Sequence, residues 1–90
     1  MANTSPERRT RLDVIASILD ACQYRTVKTH VMYQCNMSFT QLKGYLDLLL
    51  KANLLIVEND RQPPLLRVST KGKDLLKAYA AIKTMMEAPR

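Results

Sequence analysis

The segment Asn36-Met37-Ser38-Phe39-Thr40-Gln41-Leu42 constrains the chain more than any other. Ser38 offers a hydroxyl to an orphan backbone N–H of a first helical turn, and Gln41 completes a Ser-x-x-Gln capping box. Behind this start Phe39, Leu42, Leu46, Leu49 and Leu50 fall on one face at helical spacing, opposite Thr40, Lys43, Gly44, Asp47 and Lys51. A helix therefore begins at Ser38 and runs to about Ala52, where Asn53 suits the left-handed position that ends a helix. Just upstream, Val27, Val31, Met32 and Cys35 give a shorter apolar stripe, with Thr26 as its expected cap.

Two short helices joined only by Asn36 and Met37 have the spacing of a helix-turn-helix. Before them, Ser5-Pro6-Glu7 reads as a cap, a proline at the first helical position and an acid at the positive end of the dipole. That first helix runs to about Cys22, with Leu12, Ile15, Ala16, Leu19 and Cys22 inward and Val14 and Ile18 widening the stripe. After the second and third helices, Leu54–Glu58 and Leu65–Val68 read as strands around a polar tip, Asn59 to Pro64. Ser69 caps a last helix in which Leu75, Tyr79, Ile82 and Met86 recur as a short heptad seam, widened by Leu76, Ala78 and Met85. The fold class expected is α+β and mostly α: three helices, a two-stranded hairpin and a C-terminal helix. Residues 1–70 are expected to form the core domain, and residues 71–90 a helix that serves partly to dock on it and partly for dimerisation.

The net charge of +6 favours an anionic partner, of which nucleic acid is the commonest. Arg8, Arg9 and Arg11 oppose the dipole of the first helix, so they form either a solvated face or a phosphate contact. The single histidine, His30, has no second ligand at metal spacing, and it reads as a half-exposed helix residue or a DNA-backbone contact. Cys22 and Cys35 match no zinc motif and are expected as buried hydrophobes in a reducing compartment. No paired acid and base, activated nucleophile or glycine-rich phosphate loop is present, so neither an enzyme nor a cofactor is expected. The polar amino end lacks a signal-peptide core, and no apolar run approaches the ~20 residues of a bilayer span, so a cytoplasmic protein without membrane contact is expected.

Lys28-Thr29-His30-Val31-Met32-Tyr33 followed by Asn36-Met37-Ser38-Phe39 resembles the "KTRIMY…NLSY" signature of a family of small archaeal winged-helix proteins. Leu42 to Leu50 is similar to that family's "QLKKYLDLLL" helix, and Val68-Ser69-Thr70-Lys71-Gly72 to its "LTxKG" lead into the final helix. The resemblance covers roughly Arg9 to Tyr79. It implies a winged helix-turn-helix fold and DNA binding, in transcriptional regulators or chromatin-associated proteins, several of which pair through an antiparallel coiled coil of their C-terminal helices. The chain departs from the pattern at His30, where the family usually has arginine, and at Gly44, where a basic residue is common. Its final helix also ends soon after Met86.

Helix 38–52 is thus expected in the major groove of double-stranded DNA, with hairpin 58–67 as a flanking wing. Thr40, Lys43, Gly44 and Asp47 would face base edges, while Ser38 and Gln41 suit phosphates at the helix N-terminus. Lys28, Thr29 and His30 would flank the backbone, Arg61 at the wing tip would enter the minor groove, and Arg67 and Lys71 would hold the wing's return. Gly44 costs about 1 kcal/mol against alanine in a helix interior, and it marks either close approach of the duplex or a tolerated weak spot. Asp47 must avoid phosphate or pair with Lys43 or Lys51. A homodimer is expected through Tyr79, Ile82, Met85 and Met86. The competing reading is a protein-interaction or architectural chromatin module with little sequence specificity, supported by Leu48 lying off the buried stripe.

Overall fold

The computed structural model describes residues 9–87, in the order α1 (Arg11–Ala21), α2 (Lys28–Cys35), α3 (Phe39–Lys51), β1 (Leu55–Glu58), β2 (Leu65–Val68) and α4 (Thr70–Met86). The expected cap at Ser5 lies outside the described residues. Helix α1 starts later than expected, because Thr10 and Asp13 form their own capping box: the Asp13 N–H donates to Thr10 Oγ1 and the Thr10 N–H to Asp13 Oδ2, each at 3.0 Å. Arg9 is consequently outside the helix, and its guanidinium donates to the Cys35 carbonyl at the end of α2, 3.2 Å away. The buried side of α1 is Val14, Ala16, Ile18, Leu19, Ala21 and Cys22, while Leu12 in the first turn is left exposed.

Thr26 does not cap α2. Its N–H and carbonyl pair with Leu66 at 3.0 and 2.7 Å, so the connection joins the hairpin as an isolated bridge, and Val27 stands at the N-cap without a side-chain bond. Helix α2 ends at Asn36, whose φ of 56° is left-handed, and the Met37 N–H closes back on the Met32 carbonyl at 3.0 Å. The chain reverses there and enters α3 through the Ser38 capping box, in which the Gln41 N–H donates to Ser38 Oγ at 3.2 Å and the Ser38 N–H to Gln41 Oε1 at 3.0 Å. Leu42, Leu46 and Leu49 are buried, as expected of the stripe, but Phe39 at its first position is 51% exposed. Asn53, at φ 63°, turns the chain out of α3.

The hairpin pairs Leu55 with Val68 and Val57 with Leu66 in antiparallel register, and strand β1 begins one residue after the expected Leu54. Leu55, Leu66 and Val68 face the core formed by α1, α2 and α3. The exit of α3 and the start of α4 are tied closely. The carbonyls of Ala52, Asn53 and Leu54 accept in turn from Lys71 Nζ (2.8 Å), Ser69 Oγ (2.7 Å) and the Ser69 N–H (3.1 Å). The buried Ser69 hydroxyl also caps α4 by accepting from the Gly72 N–H at 2.9 Å, so both of its roles are satisfied. Gly72 makes this closeness possible: a Cβ there would collide with the Leu54 carbonyl oxygen and with Val68 Cγ2.

Both cysteines are free and buried. Burial pushes the Cys22 thiol up to about 12 and raises that of Cys35, so neither is a thiolate at neutral pH.

Candidate nucleic-acid interface

The outward face of α3 carries Thr40, Gln41, Lys43, Gly44 and Asp47, all exposed. Its wing-side flank borders a depression between α3 and the hairpin, lined by Lys28, Phe39, Lys43 and Asp47 on the helical side and by Asn59 and Pro64 on the hairpin side. The fold therefore brings the first residue of α2, the first half of α3 and the hairpin tip to one surface. Lys28, Lys43 and the exposed tip residue Arg61 enter no ion pair among the described residues. Asp47 pairs with neither Lys43 nor Lys51, so it remains a local negative charge beside them. Among the described residues nothing lies within 4 Å of a Cβ built on Gly44, so the glycine answers no packing need among them.

Other residues expected at this surface have different surroundings. Ser38 and Gln41 are exposed, but their side chains are committed to each other in the capping box. Thr29 and His30 are exposed on α2; His30 borders a separate polar hollow with Tyr24, Arg25 and Gln34, away from Lys43. Arg67 does not reach outward as a free cation: its Nε donates to Glu58 Oε2 at 2.9 Å, and Arg25 adds a second cation to the same carboxylate at 3.6 Å. Paired across the hairpin, Arg67 stiffens the wing rather than extending its charge. Lys71 is likewise occupied, at the negative end of the α3 dipole, by the Ala52 carbonyl.

The seam of α4 divides in two. The half-buried Tyr79 hydrogen-bonds through its hydroxyl to Asp13 Oδ1 within the same chain, and Lys83 Nζ lies 5.9 Å from its ring centroid. Tyr79 thus docks α4 on α1 and is not a free seam residue. Its hydrogen bond is the main cause holding the Asp13 carboxyl below its ordinary 3.8, with the Thr10 cap contributing, and the same bond raises the Tyr79 hydroxyl. Ile82, Met85 and Met86 are 51%, 73% and 80% exposed.

Sequence reasoning missed the exposed Phe39, which the apolar spacing assigned to the core. It also passed over Tyr24 and Tyr33, both almost fully exposed, for which periodicity gives no signal. Among the described residues no group of His, Cys, Asp and Glu is placed to hold a metal ion, and no helix is long and apolar enough to cross a membrane.

The fold is similar to that of the crystal structure of Sso10a-2, a DNA-binding protein from Sulfolobus solfataricus, with a TM-score of 0.71 at 22% identity. The likeness covers 91% of this chain and 98% of that one. A comparison with curated proteins finds no match. The sequence model of winged helix-turn-helix domains matches residues 8–87, from before α1 through the last turn of α4, and the chain belongs to the winged helix-turn-helix family.

Proposed function

We propose that this protein binds double-stranded DNA as a transcriptional regulator, with the first half of α3 in the major groove and the hairpin along the flanking backbone. The observation that carries the reading is the shared surface of Lys28, Lys43 and the wing, where Lys28, Lys43 and the tip residue Arg61 enter no ion pair among the described residues. The N-terminal part of a second helix in this motif is what reaches base edges. The DNA-binding description of the Sulfolobus structure agrees with it. The protein acts as a homodimer, paired through the exposed Ile82, Met85 and Met86 of α4.

A salt titration of duplex binding tests this. Affinity falls steeply between low and moderate salt; Lys43→Ala and Arg61→Ala each weaken binding, lowering the slope by about one where the lost contact is to a phosphate and relaxing preference at one base pair where it is to a base, while Arg67→Ala, whose partner is Glu58, leaves the slope unchanged. Absence of duplex binding at low salt overturns the proposal. The exposed apolar end of α4, with Leu48 at 42% exposure, favours a second reading as a protein-interaction or architectural module. Duplex binding with the same affinity for every sequence would select the architectural form of it.

A further inference from the structure

Phe39 is the chain's only phenylalanine and the first residue of α3, and it is half exposed although its spacing matches the buried stripe. It lines the depression between α3 and the hairpin together with Leu50, Val57 and Pro64, and Lys28 and Lys43 belong to the same lining. The surface is therefore apolar within and edged by two cations against the single acid Asp47, a net positive rim that fits a polyanion carrying an apolar group. The major-groove edges of the bases present donors and acceptors, and one apolar group, the C5-methyl of thymine. An aromatic ring on the first turn of the reading helix has no hydrogen bond to give those edges; it has apolar area to cover.

We propose that Phe39 is a specificity-determining residue whose ring packs on a thymine methyl in the major groove, giving the protein a preference for thymine at the base pair it meets. This rests on the DNA-binding reading above. Duplexes selected from a random pool by the full chain are remade with every thymine replaced by uracil, which removes the methyl and keeps the pairing and the phosphates. The wild-type chain then binds the uracil duplex about fourfold more weakly for each methyl covered, the factor expected for burying a group of that size. The salt slope stays the same, because no phosphate contact is altered. Phe39→Leu retains the thymine preference, and Phe39→Ser abolishes it while keeping binding to both duplexes; circular dichroism checks that each variant folds, with Phe39→Gln in place of a serine variant that does not. Equal affinity of the wild-type chain for both duplexes overturns the inference alone, as does a preference that persists undiminished in the polar variants. Failure to retain any duplex at low salt overturns the DNA-binding reading and this inference together.

Discussion

Asp13 holds two elements at once: it closes the capping box that starts α1, and it accepts the Tyr79 hydroxyl that docks α4. Both bonds favour the carboxylate, so its folded value lies below the ordinary 3.8. A depressed carboxyl contributes stability that is fully present above its unfolded value and is lost as pH falls through its folded one. Thermal melts of the wild-type chain should therefore lose more on acidification from pH 5 to below 3.8 than those of Asp13→Asn, whose amide does not titrate. An acid limb of equal depth in both proteins would remove Asp13 from this role. The sequence expectation instead starts the helix at Ser5 and gives Tyr79 to a partner chain. A capping box is a local pattern and Thr10-x-x-Asp13 could have been found; the Asp13–Tyr79 bond spans 66 residues and needs the fold.

Among the elements, α3 was the most legible, because its cap, its stripe and its Asn53 exit are each written in adjacent residues. What the pattern misjudged was the first turn, where Phe39 has the right spacing but no element covering it. The hairpin strands were legible, whereas the Thr26 bridge was not, since a single threonine before a helix looks the same as a cap. The two glycines differ in the same way: periodicity places both within helices but does not tell what stands over them. Gly44→Ala meets nothing and should raise stability by about 1 kcal/mol through helix propensity. Gly72→Ala drives a methyl into the Leu54 carbonyl and the Val68 side chain and should cost about 1–3 kcal/mol. Denaturant midpoints at constant m-value check both signs. If Gly44→Ala also weakens duplex binding while stabilising the chain, the glycine serves close approach to DNA.

At the scale of the whole molecule, the described chain measures 50 × 26 × 20 Å and exposes Ile82, Met85 and Met86 at the end of α4. Replacing those three by serine should convert the proposed dimer to a monomer in sedimentation, leave the melting temperature of the core little changed, and weaken duplex binding by removing one of two linked heads. An unchanged oligomeric state would place the pairing surface elsewhere. The seam was legible as a heptad, but its true reach was not, because Tyr79 faces inward and leaves a shorter apolar end. The grip of α4's first turn on the carbonyls of Ala52, Asn53 and Leu54 bears on this pairing. It ties the exit of α3 directly to the start of α4. Two such chains joined by their tails would act as a ruler: they would measure a fixed distance along the duplex, and a pair of sites half a helical turn out of step would be met by one head and missed by the other.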